Sequence, residues 1–160
     1  VEERIDLAIR FSNNLDPNLI ARRLGICRSA ICAAPRYLAT HGAPVTLQDL
    51  GQHNCLTRAY FGKSEWHFIR DGLPESVQVS GRLSANEVSS LLELALAGAG
   101  IAEVPLYIAK PYLVSGELIA LLPEWQPAEL GIHGVYASRR HQPAVLRSLL
   151  DFLAERLADD

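Results

Sequence analysis

The stretch from residue 77 to 105, VQVSGRLSANEVSSLLELALAGAGIAEVP, decides the fold, because it contains the patterns of a strand, a helix and a second strand in succession. Residues 77–83 alternate in polarity with the two-residue period of a strand. From Val88 to Ala99, apolar residues recur three and four positions apart, as in a helix that buries one face, and glycines end it. A short apolar strand follows over Ile101–Pro105. This order predicts an α/β fold.

The start of this helix is a candidate anion-binding site. We predict a helix over residues 87–97 with Asn86 as its N-cap. The free N–H groups of a first helical turn and the positive end of the helix dipole attract a carboxylate or another anion. Alternatively, Asn86 and Glu87 satisfy that first turn themselves, and the helix start is simply capped. Both interpretations are open on the sequence alone.

Strands and helices also alternate along the rest of the chain, which supports the same fold class. Asp71-Gly72 is a hairpin turn signal, and Thr46 with Asp49 has the spacing of a capping box. Further strands are predicted at residues 5–11, 19–34 with a break at Gly25, 55–61, 66–70, 118–122 and 132–137. Helices are predicted at residues 35–42, 46–50, 106–113 with an interruption at Pro111, and 145–157.

Composition restricts the class of protein. The 160 residues are 49% hydrophobic and 21% charged, which is typical of a folded globular chain. With 15 basic and 18 acidic residues the net charge is −3, so a strongly basic surface that grips nucleic acid is excluded. No apolar run approaches the roughly 20 residues that span a bilayer, and no signal-peptide pattern opens the chain. We predict a water-soluble, cytoplasmic domain.

The sequence offers little for catalysis or metal binding. Its three cysteines form no C-x-x-C pair, which argues against a disulfide framework or a zinc ribbon. Nucleotide-loop, nucleophile-elbow and zinc-helix motifs are absent, and the histidines are scattered. His53 and Cys55 are the best candidates for a nucleophile pair in a small cytosolic enzyme, yet two residues apart on extended chain they need not bond. We expect no catalytic residue, no metal and no cofactor.

Polar residues at the ends of two strands are ambiguous. Glu103 interrupts an apolar run that reads as a buried strand, and a charge there must be paired or must face a cavity or solvent. A ligand-facing carboxylate and a structural ion pair are equally compatible with this position. Thr57 and Arg58 lie near the polar end of another strand, where exposed edge residues are the simpler expectation.

Segments along essentially the whole chain match one known family in order and spacing, although each by itself is a piece of scaffold. The segments are IDLAIR (5–10), LIARRLG (19–25), CAAPRYLA (32–39), HG (41–42), Pro44, DL (49–50), His53, CL (55–56), Trp66, VSGRL (79–83), Asn86, ALAGAGIA (95–102), Pro105, Leu113, SGEL (115–118), LPEW (122–125) and the final helix. Together they resemble the C-terminal effector-binding domain of LysR-type transcriptional regulators.

The resemblance implies a two-lobed α/β domain like the type II periplasmic binding proteins, which hold a small molecule between lobes joined by crossing strands. One lobe is expected to comprise residues 1–34 with 134–160, and the other residues 35–133. Family members carry an N-terminal helix-turn-helix and further strand–helix units before the segment that matches Ile5. The absence of Met and the start at Val1 therefore favour a fragment whose first lobe is incomplete at its N-terminus.

The resemblance also implies how the chain acts. It would be the sensing part of a regulator that forms a dimer or tetramer, with the helix at 87–97 contributing to an antiparallel dimer and DNA bound only by the missing segment. Arg10 and the helix start favour an anionic small-molecule effector. A solute-binding protein of a transporter is the alternative, since it would share the fold. The candidate effector-binding residues are Arg10, Phe11, Thr57, Ser84, Asn86, Glu103 and Pro105.

Overall fold

The computed structural model divides into two compact units. Unit 1 lies within residues 1–27 and 129–160, and unit 2 comprises residues 28–128. The resemblance placed the corresponding boundaries after residues 34 and 133. The structure describes residues 6–58, 63–136 and 143–157.

Strands and helices are interspersed along the chain, as the α/β prediction requires. The strands are β1 (Ala8–Phe11), β2 (Ile20–Cys27), β3 (Ser29–Ala33), β4 (Cys55–Arg58), β5 (Lys63–Arg70), β6 (Leu73–Ser80), β7 (Ser84–Ala85), β8 (Ile101–Pro105), β9 (Ile119–Ala120), β10 (Gln126–Pro127) and β11 (Leu130–Tyr136). The helices are α1 (Pro35–His41), α2 (Val88–Leu96), α3 (Leu106–Ser115) and α4 (Ala144–Leu157), with a 3₁₀ helix at Leu47–Gln52. Within the described ranges, no helix is long and apolar enough to cross a membrane.

Unit 1 is a three-stranded antiparallel sheet, in the order β1-β11-β2, with α4 packed on one face. Leu150 of α4 is buried against Leu24 and Ile132 of the sheet. Burying a leucine side chain stabilises a fold by about 1.5–3 kcal/mol. Arg22 of β2 forms an ion pair with Asp151 of α4, so both residues mark the helix-covered face.

Unit 2 is built on a five-stranded sheet in the order β7-β4-β8-β3-β9. Strands β7, β4 and β8 run parallel to one another, whereas β3 runs antiparallel to both β8 and β9. The carboxyl ends of β7, β4 and β8 therefore lie along the same edge of the sheet. We refer to this edge as the carboxyl edge.

Two layers cover the two faces of the unit 2 sheet. On one face, α2 and α3 bury a cluster that includes Leu56 and Val104. On the other, the antiparallel β10-β5-β6 sheet buries Trp66 and Phe68 against Ile31, together with α1 and the 3₁₀ helix. Side chains alternate along a strand, so each position of β4 and β8 can be assigned to one of these faces.

Several local predictions are confirmed. The turn between β5 and β6 is Asp71-Gly72, with φ values of 51° and 77°, and two positive values are the requirement of a type I′ hairpin. Helix α1 ends before Gly42, whose φ is 75°. Asp49 accepts hydrogen bonds from the N–H groups of Val45 and Thr46 at 2.9 and 2.7 Å, as the capping pattern predicted.

Other local predictions are wrong. Helix α3 continues through Pro111, an exposed position where water can bind the carbonyl that proline leaves without an N–H partner. The extended stretch is divided at Arg28, between β2 and β3, whereas at Gly25 the strand continues with a shift in its register against β11. A glycine is required at this position because a Cβ would collide with the carbonyl of Leu157.

Several predicted strands are shorter in the structure. The strand expected at 118–122 is only Ile119–Ala120, and the strand expected at 77–83 ends at Ser80. The first strand begins at Ala8. Parts of other predicted strands lie outside the described residues, namely Ile5, residues 59–61 and Ala137.

Candidate functional site

The carboxyl edge of unit 2 brings polar side chains together on one face of the sheet. Thr57 of β4 lies opposite Ser84 of β7 in the parallel pairing. On its other side β4 pairs with β8, with Leu56 opposite Ala102, so the next residues in that register are Thr57 and Glu103. Residues in register on neighbouring strands point to the same face. Thr57, Ser84 and Glu103 therefore form a row across three strands.

Strand β3 extends this row. Ile31 lies opposite Glu103, and Ser29 lies opposite Pro105. Ile31 belongs to the cluster buried under the β10-β5-β6 sheet, which identifies the face on which the row lies. Pro105 is buried and precedes the first residue of α3. Four of the seven sequence-predicted site residues thus share one face and one edge: Thr57, Ser84, Glu103 and Pro105.

Thr57 is buried, so the expectation of an exposed edge residue is wrong for it. Its exposed fraction is 1%, because β7 and β8 flank β4 on both sides. Arg58, one residue later, is exposed as expected. In the described part of the chain the Thr57 hydroxyl has no hydrogen-bond partner. A buried polar group without a hydrogen bond lowers folding stability by about 1–3 kcal/mol, so the presence of a threonine at this position calls for an explanation.

Glu103 is a partly buried carboxyl group beside Thr57. Burial raises its pKa above the ordinary value, while the charge of Arg58, the Ser29 hydroxyl and His67 act to lower that pKa. Burial is the largest of these causes, so its surroundings compensate the carboxylate only in part. A carboxylate has about four lone-pair sites, so that of Glu103 can accept a further hydrogen bond besides the one from the Ser29 hydroxyl.

Asn86 is not the N-cap of α2, contrary to the sequence prediction. The helix begins one residue later, at Val88, and Glu87 is the N-cap, with extended φ and ψ of −92° and 130°. Glu87 makes no side-chain hydrogen bond to the first turn. Asn86 itself is exposed in the bend between β7 and α2, next to the carboxyl edge.

Arg10 and Phe11 belong to unit 1 and lie on opposite faces of β1. Phe11 pairs with Ile132, whose side chain packs under α4. Arg10 pairs with His133, which in turn pairs with Arg23 of β2. These three side chains form a row across the sheet on the face away from α4.

The row of Arg10, His133 and Arg23 concentrates basic groups. Both arginines are exposed, and neither has an acidic partner among the described residues. The His133 Nδ1 lies 3.1 Å from the carbonyl oxygen of Gly131. The sequence analysis missed His133, Arg23 and Ser29, because only the pairing of strands distant in the chain brings them beside the predicted residues.

The His53 and Cys55 pair is not arranged for nucleophilic catalysis. Burial raises the pKa of the Cys55 thiol to about 12, so it is protonated at neutral pH, and its sulfur lies 3.4 Å from the carbonyl of Leu50. His53 instead lies 3.1 Å from the Tyr37 hydroxyl, which accepts the N–H of Asn54 at 3.0 Å. The histidine is thus part of a structural hydrogen-bond chain.

Metal ligands do not cluster either. Within the ranges that the structure describes, no group of three or more histidine, cysteine, aspartate or glutamate residues could hold a metal ion. In α/β folds, ligands bind beside the carboxyl ends of parallel strands, which is where the carboxyl edge lies.

Comparison with known proteins identifies the family to which the chain belongs. The family model "LysR substrate binding domain" matches residues 1–158 of this chain. The chain therefore belongs to the LysR substrate-binding domain family, a family of transcriptional regulators.

Related sequences and solved structures agree with this membership. A probable HTH-type transcriptional regulator of Klebsiella pneumoniae, LtrA, is 34% identical over 97% of this chain and 52% of its own length. The CrgA regulatory domain of Neisseria meningitidis has a TM-score of 0.81 and 32% identity, over 97% of this chain and 76% of that one. Full-length AphB of Vibrio cholerae has a TM-score of 0.77 and 27% identity, over 95% of this chain and 52% of that one.

Two consequences follow from the comparisons. The chain spans about half the length of the curated relatives that it matches, with 52% of LtrA covered. The matched relatives are HTH-type regulators, so the alternative of a transporter's solute-binding protein is not supported.

Proposed function

We propose that this chain is the effector-sensing part of a bacterial transcription regulator and that the carboxyl edge of unit 2 contacts the effector. The observation that carries the proposal is the row of Thr57, Ser84 and Glu103, in which the buried Thr57 hydroxyl has no hydrogen-bond partner among the residues that the structure describes. Asn86 and Pro105 border this row. A small molecule with polar groups would complete the hydrogen bonding that the sheet leaves open.

The effector is proposed to be anionic. Arg10 and Arg23 supply two guanidinium groups without acidic partners among the described residues, on one face of the unit 1 sheet. Guanidinium groups bind carboxylates and phosphates with paired hydrogen bonds. Phe11, at the end of the same strand, is 45% exposed and offers an apolar contact.

Regulation requires the effector to favour one state of the protein. A ligand shifts such an equilibrium only by its differential affinity for the two states, typically about 1–3 kcal/mol in allosteric proteins. We propose that the DNA-binding heads belong to the remainder of the regulator and that the protein acts in the cytoplasm as a dimer or tetramer. The exposed side of α2 is the proposed contact with a second copy.

The experiment uses the full-length regulator and a compound that raises its thermal unfolding midpoint. Asn86→Leu should weaken binding of that compound in calorimetry, because the leucine removes a polar group beside the carboxyl edge. Gln78→Leu is the control, since Gln78 is exposed on β6. Equal titration curves for wild type and Asn86→Leu would contradict the placement of the site.

A further inference from the structure

We propose that Thr57 and Glu103 form a subsite that binds a hydroxyl group of the effector. The inference rests on the proposed function and makes it more specific, because it names a chemical group that the effector must carry. It also assigns a specificity role to Glu103, for which the resemblance implied only proximity to the ligand.

The geometry of the sheet places the two side chains together. The parallel register of β4 with β8 runs through Cys55 with Ile101 and Leu56 with Ala102. Continued by one residue, this register places Thr57 and Glu103 on one face of adjacent strands, and adjacent strands lie about 4.8 Å apart. The Thr57 side chain is 99% buried and its oxygen has no partner in the described residues.

The chemistry of the two groups selects the ligand group. A threonine hydroxyl donates one hydrogen bond and accepts others, whereas a carboxylate only accepts. A ligand hydroxyl can accept from Thr57 and donate to Glu103 at the same time, so both protein groups are satisfied. A methyl group would leave Thr57 without a partner, and a ligand carboxylate would meet the like charge of Glu103.

An ammonium group fits less completely than a hydroxyl. It would donate to Glu103, but it has no lone pair to accept the Thr57 proton. The groups that surround Glu103 further restrict which ligand groups can bind there. The Ser29 hydroxyl of β3 already bonds to the carboxyl, and the charges of Arg58 and His67 act on it as well. A second cation at this position would be repelled by Arg58.

The first part of the test compares matched compounds on the full-length wild-type regulator. The pairs are glycolate with acetate, lactate with propionate, and glycerol with propane-1,3-diol, each differing by one hydroxyl. Thermal unfolding midpoints across a concentration series give an apparent affinity for each compound. We expect at least one hydroxylated member to bind at least about tenfold more tightly than its partner, because the deoxy compound leaves the buried Thr57 hydroxyl without a partner.

The second part uses substitutions at Thr57. Thr57→Val keeps the side-chain shape without the hydroxyl and should remove the preference for the hydroxylated member. Thr57→Ser keeps the hydroxyl and should retain the preference, which separates a specific role from a general loss of folding. Thr40→Val is the control, since the Thr40 hydroxyl on α1 bonds only to neighbouring atoms of its own helix and His41.

The outcomes separate the subsite from the proposed function. A wild-type protein that binds both members of a responding pair equally, or a Thr57→Val variant that keeps the preference, overturns the subsite and leaves effector sensing intact. A wild-type protein that responds to none of these compounds, nor to a broad set of metabolites, contradicts both.

Discussion

Thr57 lies directly opposite Ser84 in the parallel pairing of β4 with β7, yet Thr57 is buried and Ser84 is exposed. The pair therefore marks the point where the interior of the unit 2 sheet meets its polar edge. At this point the buried hydroxyl oxygen of Thr57 has no hydrogen-bond partner in the described residues. We expect this missing hydrogen bond to lower the free energy of unfolding of the ligand-free protein.

Thr57→Val should stabilise the ligand-free protein by about 1 kcal/mol, because it removes a buried polar group that is not hydrogen-bonded. Urea unfolding gives the free energy of unfolding for both proteins. Thr40→Val should instead be slightly destabilising, since the Thr40 hydroxyl bonds to the Tyr37 carbonyl at 3.0 Å. A loss of stability in Thr57→Val would show that this hydroxyl has a partner in the free protein.

Stability should depend on pH through Glu103. Burial raises the pKa of this carboxyl above 4.5, so the folded protein holds the proton to a higher pH than the unfolded chain does. The folded state then loses stability as pH rises from about 4.5 through the raised pKa. Glu103→Gln removes this titration, so its unfolding midpoint relative to wild type should increase across that window and then level off.

The control for this titration is Glu155→Gln, because Glu155 is exposed on α4. Its difference from wild type should stay nearly constant with pH. If wild type instead gained stability relative to Glu103→Gln as pH rises, the charge of Arg58 would outweigh burial, and Glu103 would be a structural ion-pair partner rather than an effector ligand.

Tyr37→Phe should destabilise the protein by about 1–3 kcal/mol, because it leaves the Asn54 N–H without its acceptor and breaks the contact with His53. Tyr37 is 2% exposed, so water does not replace the hydroxyl. Tyr107→Phe is the matched control, since Tyr107 is 60% exposed. Equal unfolding free energies for the two variants would show that the hydrogen bonds of the Tyr37 hydroxyl do not stabilise the fold.

Arg10→Gln should reduce the dependence of stability on salt. Arg10 and Arg23 place two positive charges on one face of unit 1, and their repulsion is screened as salt increases. The variant should be more stable than wild type at low salt, and the gap should close at high salt. A gap that does not change with salt would mean that the row is already neutralised within the protein.

The sequence could predict elements whose signals are local. The helix that became α2 and the strand Ile101–Pro105 follow from periodicity over neighbouring residues. The Asp71-Gly72 turn follows from the positive φ values that a tight hairpin needs. Asn86 shows the limit of such signals, because a good capping residue lies one position before the residue that serves as N-cap.

The candidate site depends on pairing between distant segments, which periodicity does not contain. Thr57 looked like an edge residue because nothing near it in the sequence shows that β7 and β8 flank its strand. Ser29 and Glu103 approach only because β3 and β8 pair in antiparallel register. The resemblance to a family supplied Ser84 and Pro105 as candidates, while the register shows which of the candidates share a face.

The most direct test of effector sensing is a thermal unfolding screen of the full-length regulator against small polar metabolites, repeated with Thr57→Val. A ligand that binds only the folded state raises the unfolding midpoint, and the shift grows with the logarithm of its concentration relative to Kd. The account predicts that at least one compound raises the wild-type midpoint and that the same compound raises it much less in Thr57→Val. No shift with any compound would contradict effector sensing, and equal shifts in both proteins would contradict the role of Thr57 in the site.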